Sequence, residues 1–375
     1  MLSLLAAGGS GVVWADAVPA PPTMVAKAAE VVDARSGAVL YTKNAHERLP
    51  IASVTKLMTL YIAVRAIQHK QLSLHDLVPV SEEAYRVNGS QVWLEPGERL
   101  SVDQLLKAVA VGSANDAAFA LAEYIAGSPD AFVEDMNNTA RTLGMTATHF
   151  ANPHGLSQSG HYSTAHDMAL LAQQAVKLPL LLRYTGMRED RTLRNGKGGT
   201  LWLINHNRLL GQFPGMDGLK TGYTQEAGFC IVATAKRVHT RMIAVVLGAP
   251  SSKSRFQDAS NLLTWSFQHY ETVRLADKGS VAGRVAVVRG SRPFIKAVFA
   301  KDSYITRNKN DKAVETRISL PASLQAPIRP GQILGYLVAK QDGREIDRIP
   351  VVAAFNVAQV TWARGVWNYL WKIAG

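Results

Sequence analysis

The strongest constraint on this chain is a change of hydrophobic period that happens twice. Two β-rich runs in "AEVVDARSGAVLYTKNA" flank Arg35-Ser36-Gly37, a turn sequence, and read as a hairpin. Apolar residues then recur at i, i+3, i+4 and i+7 in the runs from Ser53, from Val102 and from Asn115, a helical period kept for roughly a hundred residues. From Gly218 the pattern returns to strands: "GFCIVATAKR" and "RMIAVVLGA" are apolar, β-branched runs separated by polar turn residues. A chain that is strand, then helix, then strand buries its helical stripes against the face of its sheet. The expectation is therefore an α+β unit with helices packed on an antiparallel sheet, closed near residue 270 by the helix "FQDASNLLTWSFQHYE".

Beyond that point the pattern changes again. "RVAVVRG", "IKAVFA" and "ILGYLVAK" are short β runs broken by Gly, Pro and Asn turns, the pattern of a small all-β sandwich over residues 271–355. The last stretch, 356–375, reads as an amphipathic helix. On a helical projection Thr361, Arg364, Gly365, Asn368 and Lys372 share a narrow polar face, while Trp362, Trp367 and Trp371 lie on the apolar arc. That pattern suits a helix lying in a membrane interface, and also a terminal helix docked on the sandwich. Charge favours an anionic surface here: residues 271–375 carry 17 Lys/Arg against 8 Asp/Glu, +9 of the +12 formal charge. No zinc-finger spacing, P-loop or basic–aromatic interleaving points to nucleic acid.

At the other end, "MLSLLAAGGSGVVWADA" has an apolar stretch followed by Ala15-Asp16-Ala17, a small-x-small cleavage pattern without a basic n-region. The expectation is export, with residues 1–17 as signal peptide and a first domain over 18–270. The one cysteine, Cys230, excludes an intrachain disulfide and reads as a strand-core thiol.

Three short motifs carry the chemistry. Ser53 and Lys56 in "IASVTKLMTL" are an i, i+3 pair at the mouth of an apolar helix, so a hydroxyl and an amine share one face. The serine becomes a nucleophile only if something takes its proton, and a lysine can do so only if burial or a neighbouring cation lowers its pKa. "VGSANDAAFALAEYIAG" supplies Ser113-x-Asn115 ahead of a helix, and "MDGLKTGYT" supplies Lys220-Thr221-Gly222 at the start of a strand pair. Alone, each also fits a helix cap or a turn. In this order, each at an element boundary, they match the S-x-x-K, S-x-N, K-T-G set of penicillin-recognising serine enzymes.

Over nearly its whole length the chain resembles the low-molecular-mass penicillin-binding proteins that act as D-alanyl-D-alanine carboxypeptidases. The resemblance extends through "VVDARSGAVLYTKNAHERLPIASVTKLMT", "ANPHGLSQSGHYSTAHDMALLA", "GMDGLKTGYTQEAGFCIVATAKR" and "LLTWSFQHYETV". It implies that Ser53 attacks the carbonyl between two terminal D-alanines of a peptidoglycan pentapeptide, and that Lys56 accepts its proton. The N–H groups of Ser53 and Tyr223 would form the oxyanion hole, and Ser113 would pass a proton to the departing D-alanine. Asn115 would hold the substrate amide and Lys56, and Lys220 would help to keep Lys56 neutral. Thr221, Gly222 and Arg255 would bind substrate, with the guanidinium suited to its terminal carboxylate. β-Lactams would be covalent inhibitors, no cofactor or metal is implied, and the expected location is the periplasmic side of the bacterial cytoplasmic membrane.

Other readings fit less well. His154, His161, His166 and His206 lie close in sequence, but His161 and His166 are five positions apart and share no helical face, so structural or surface roles are expected and no metal site. A Ser-His-Asp triad lacks its G-x-S-x-G elbow. A class A β-lactamase would need a glutamate to activate the deacylating water, and none occurs between Glu134 and Glu189. A D,D-endopeptidase acting on cross-links is the nearest alternative, and a non-catalytic wall-binding protein would have no need of Ser53 and Lys56 together.

Overall fold

The computed structural model of the protein describes residues 19–193 and 199–360, so the expected signal peptide and most of the expected C-terminal helix lie outside the described residues. The described chain forms two compact units that meet in sequence at Tyr270 and Glu271.

In the first unit, β1 (Ala28–Asp33) and β2 (Val39–Lys43) form the expected hairpin. Its turn is tied by the Asp33 carboxylate, which accepts from the Arg35 N–H at 2.8 Å, and Gly37 takes the left-handed conformation at φ 79°. The return strands are β3 (Met216–Thr224), β4 (Gly228–Arg237) and β5 (Thr240–Ala249). The sheet order is β2-β1-β5-β4-β3, so the first and last parts of the unit are hydrogen-bonded side by side, with Glu30 opposite Val245. Strand alternation then divides the core. Ile243, Val245 and Leu247 point to the helical cluster, while Met242, Ala244 and Val246 point to the opposite face. Because both faces are covered, these strands are apolar throughout instead of alternating with polar residues.

The helices on the first face include α1 (Lys56–Gln68), α2 (Val102–Ala110), α3 (Asn115–Ala126), α4 (Pro129–Thr142) and α5 (Ala165–Ala175). Sequence sets their ends. Ser101 and Gln104 form a capping box at the start of α2, Ser128 with Pro129 opens α4, and Gly127 at φ 81° ends α3. On the opposite face lies α6 (Ser252–His269), capped by Ser251 and burying Ala259, Leu262, Leu263 and Phe267. It starts earlier than its apolar pattern suggests, because Ser251 and Ser254 satisfy the first-turn N–H groups.

The second unit is β-rich, as expected. After β6 (Tyr270–Ala276) come β7 (Val281–Val288), β8 (Phe294–Phe299), β9 (Ser303–Asn308), β10 (Glu315–Ser319), β11 (Ser323–Gln325), β12 (Ile333–Gln341) and β13 (Arg344–Ala353). A six-stranded sheet runs β10-β12-β13-β8-β7-β11, and β6 pairs with β9. Val285, Ile295, Ala297, Ile349 and Val351 fill its core. One boundary is corrected: a helix does not begin at residue 356. Val357 bridges Ile328, Gln359 bridges Gly290, and the Val360 N–H donates to Arg289 O at 2.8 Å, so this stretch is extended and its backbone groups are used by the β unit.

Candidate active site

Ser53 does not lie in the α-helix itself. It sits in a 3₁₀ turn, Ala52–Thr55, and α1 begins at Lys56. Ala52 just before it has φ 49°, a left-handed conformation that costs a non-glycine residue on the order of 1 kcal/mol. Three contacts hold it there. The Thr55 hydroxyl donates to Ala52 O at 2.8 Å, and His161 Nε2 lies 2.8 Å from the same hydroxyl. Because the Ala151 N–H donates to His161 Nδ1 and Thr55 donates to Ala52, the imidazole must be the neutral Nε2–H tautomer, donating to Thr55. Burial, then the charges of His149 and Lys56, push its pKa down to about 4, in keeping with that state. The third contact is Gly155, where a Cβ would lie 2.0 Å from Ala52 O.

Lys56 is fully enclosed. Its Nζ lies 3.0 Å from Ser53 Oγ, 2.6 Å from Asn115 Oδ1 and 2.6 Å from His154 O. Burial first, and then the neighbouring Lys220, hold its pKa well below the usual lysine range, against a weaker pull from Asp116. A neutral amine has two N–H donors, which match Asn115 Oδ1 and His154 O, and that leaves its lone pair for the Ser53 O–H. The arrangement suits a base.

Lys220, on β3 and 2% exposed, donates to Ser113 Oγ at 2.9 Å and to Thr221 O at 3.0 Å. Burial and the charge of Arg255 bring its pKa to about 7. Ser113 is itself held at φ 58° in the bend between α2 and α3. The Asn115 N–H donates to Ser90 O and its side-chain amide to Asn88 O, which fastens the 88–94 segment over the helix start. Asp116 completes that attachment by accepting from the N–H groups of Val92 and Leu94.

Thr221, Gly222 and Tyr223 continue along β3. At Gly222 strand and nucleophile turn meet so closely that a Cβ would lie 2.8 Å from Ser53 N. Arg255 on α6 is buried and donates through Nη1 to Gly222 O at 3.1 Å and Cys230 O at 3.3 Å. Its Nε has no protein partner, and its guanidinium lies over Phe256 at 4.4 Å. Burial lowers its pKa to about 10, opposed by Cys230 and helped by Arg208. Of the histidines, His154 and His161 are buried within this site, one giving a carbonyl to Lys56 and the other bracing the turn. Neither contribution was visible in the sequence, although both lie in the "ANPHGLSQSGHYSTAHDMALLA" stretch that carries the resemblance.

A serine hydroxyl against an enclosed amine, with a second lysine–serine pair beside it, defines an acyl-transferring serine hydrolase built on S-x-x-K, S-x-N and K-T-G. The comparisons agree. Residues 15–251 match the D-alanyl-D-alanine carboxypeptidase family and residues 270–359 match the C-terminal domain of penicillin-binding protein 5. The chain is 41% identical over 330 residues to the D-alanyl-D-alanine carboxypeptidase DacF of Bacillus subtilis, covering 88% of this chain and 85% of that one. Its structure is similar to penicillin-binding protein 5 of Haemophilus influenzae, with TM-score 0.79 and 32% identity over 91% of this chain and 99% of the other. It is also similar to penicillin-binding protein D2 of Listeria monocytogenes in its ampicillin-bound form, at TM-score 0.59 and 34% identity over 66% of this chain and 99% of the other. A D-alanyl-D-alanine endopeptidase of Pseudomonas aeruginosa is 32% identical over 66% of this chain and 79% of its own length. The chain thus belongs to the D-alanyl-D-alanine carboxypeptidase family of low-molecular-mass penicillin-binding proteins, and is a serine-type hydrolase.

Proposed function

We propose that the enzyme removes the terminal D-alanine from peptidoglycan pentapeptide stems through an acyl-enzyme on Ser53, and that β-lactams acylate the same serine. The observation that carries this reading is the Lys56 amine bonded at once to Ser53 Oγ, Asn115 Oδ1 and His154 O. Neutral Lys56 takes the hydroxyl proton as Ser53 Oγ bonds to the carbonyl carbon, and the developing oxyanion accepts from the N–H groups of Ser53 and Tyr223. The C–N bond then breaks while Ser113, held by Lys220 at 2.9 Å, gives its proton to the leaving nitrogen and regains one from protonated Lys56, which leaves the amine neutral for the second half of the reaction. Water attacks the ester, with Lys56 again the base, and Ser53 is restored. The terminal carboxylate meets Thr221 and Arg255, a buried cation with an unpartnered Nε and no ion pair to a carboxylate among the described residues.

A fluorescent penicillin should label the wild type and leave Ser53→Ala unlabelled, and the wild type should release free D-alanine from a pentapeptide muropeptide by mass spectrometry. Labelling that survives Ser53→Ala removes the nucleophile assignment. The endopeptidase alternative uses the same bond chemistry, but the relative of that name matches a shorter share of this chain than the carboxypeptidases do.

The same proposal locates the enzyme outside the cytoplasmic membrane, held to its anionic surface by residues 361–375. The support is the tryptophan-bearing apolar arc and the +9 charge of residues 271–375. Among the described residues no helix is long and apolar enough to cross a membrane. Truncation after Val360 spares the Gln359–Gly290 bridge, and should move the protein from the membrane pellet to the soluble fraction with peptide hydrolysis kept. A truncated protein that still sediments refutes the anchor.

A further inference from the structure

One face of the β unit carries apolar side chains that its core does not use. Val285, Ile295, Ala297, Val351 and Ala353 point into the core, so alternation turns their strand neighbours to the other face of the sheet. Pairing lines up four of those outward residues across four adjacent strands: Val281 on β7 lies opposite Val298 on β8, Val298 opposite Val352 on β13, and Val352 opposite Ile333 on β12. On the same face, toward the turn that joins β7 to β8, come Arg284 opposite Lys296 and then Ala286 opposite Phe294, with Val288 beyond. Phe294 is 56% and Ile333 53% accessible, and Val281 and Val288 are exposed as well. A single exposed valine is ordinary, but a continuous strip of β-branched and aromatic side chains on an open sheet face marks a contact surface.

Charge on this side has one sign. Residues 281–299, 323–337 and 349–360, the segments that build it, hold Arg284, Arg289, Arg292, Lys296 and Arg329 and no aspartate or glutamate. Among the described residues none of these five cations is in an ion pair. The acids nearest in sequence to β7 and β8, Asp277 and Asp302, stand past the other end of those strands. There Asp277 pairs with Arg274 at 2.8 Å, and Asp302 accepts from the Lys278 N–H at 2.8 Å.

The last described residues are tied to the same turn. The Ser291 N–H donates to Ala358 O and the Val360 N–H to Arg289 O, each at 2.8 Å, so the stretch that carries Trp362, Trp367 and Trp371 leaves the β unit beside it. An apolar strip, a cationic rim without acids and the proposed anchor leaving from its edge together suit the phosphodiester headgroups of an anionic bilayer. Arginine forks pair with phosphate oxygens, while Phe294 and Val288 enter the headgroup boundary.

We propose that this face of the β unit, around Phe294 and the 289–292 turn, is a second membrane contact that seats on anionic lipid and fixes which side of the unit meets the bilayer. The inference rests on the proposed anchoring by residues 361–375. Alone, the contact is small and screened by salt, so it does not hold a truncated chain in the membrane pellet at physiological salt. With the anchor inserted, the face is already at the surface and binds at high effective concentration.

The test uses the full chain with an environment-sensitive nitrobenzoxadiazole dye on a cysteine introduced by Phe294→Cys, or by Arg344→Cys at the far end of β13, about 30 Å away by strand length. Cys230 is buried and takes no label. On vesicles of phosphatidylglycerol and phosphatidylethanolamine, the dye at position 294 should brighten and shift to the blue, and the dye at position 344 should not change. In sedimentation with the same vesicles at low salt, Arg289→Ser/Arg292→Ser/Lys296→Ser should bind on the order of tenfold or more weaker than the wild type, a difference that shrinks as salt is raised. The charge-matched control Arg317→Ser/Lys340→Ser/Arg344→Ser should lose much less, and both variants should keep penicillin labelling of Ser53. A dye at position 294 that stays dark while the chain binds vesicles, or equal losses in the two triple variants, overturns the surface and leaves the anchor standing. Failure of the full chain to bind anionic vesicles at all overturns both.

Discussion

Replacing Gly222 by alanine tests how closely β3 must approach the nucleophile turn. Its φ lies outside the left-handed region, so an alanine is allowed by the backbone and the effect comes from contact alone. The new Cβ would sit 2.8 Å from Ser53 N, 2.9 Å from Val54 N and 3.0 Å from Ile51 O, all of them backbone atoms that cannot swing aside. Relief needs a separation of roughly half an ångström or more between strand and turn, and overpacking of this kind costs about 1–3 kcal/mol. Those two segments carry the proposed oxyanion donors, Ser53 N and Tyr223 N. Misplacing one donor costs about 2.7–4 kcal/mol of transition-state stabilisation, or roughly 10²–10³ in rate. Stopped-flow acylation by a fluorescent penicillin should therefore slow by about a hundredfold, while the melting temperature falls by only a few degrees, at roughly 2–4 °C per kcal/mol for a unit of this size. Acylation within about threefold of wild type, in a protein that melts normally, would refute the argument that this contact sets the oxyanion hole.

The other predictions concern the groups around Ser53. Lys56→Arg keeps a charge but cannot yield a proton near neutrality, and should lose acylation by about a hundredfold or more in the same assay. Wild-type acylation should rise with pH as Lys56, its pKa lowered by burial and Lys220, loses its proton; removing that cation in Lys220→Met should move the ascending limb to higher pH. Thr55→Val strands the His161 donor and Ala52 O, and should cost about 1–3 kcal/mol in a urea melt and lower kcat with KM little changed. Arg255→Gln should raise KM for a D-Ala-D-Ala peptide by about tenfold or more, with a much smaller effect on the C-terminally amidated peptide.

Much of this protein is decided by neighbours in the chain. The period change from strand to helix and back gives the α+β unit, because alternation and helical stripes are set by residues within a few positions of one another. Ser101, Ser128, Gly127 and Ser251 mark helix ends for the same local reason. The motif residues Ser53, Lys56, Ser113, Asn115 and Lys220 were legible as candidates too, since their side chains carry the chemistry; Ser53, Lys56, Ser113 and Asn115 stand at or just before helix starts, while Lys220 lies inside β3 and not at its beginning.

Only the tertiary structure brings them together. Pairing of β1 with β5 across more than two hundred residues closes the sheet, and that closure lays β3 and Lys220 against the turn of Ser53 and the bend of Ser113. The pKa of Lys56 is a property of its enclosure, which depends on atoms contributed from distant segments. His154 serves through its backbone carbonyl, and Asn88 and Ser90 likewise hold Asn115 through theirs, so residue type leaves no trace of these roles. Ala52 and Ser113 adopt left-handed backbone angles without being glycine, which local propensity disfavours and only packing from Thr55, His161, Gly155 and Lys220 sustains. The start expected for a helix at residue 356 failed for the same reason: its apolar pattern is local, but Val357, Gln359 and Val360 find backbone partners on Ile328, Gly290 and Arg289 that a pattern within the segment cannot reveal.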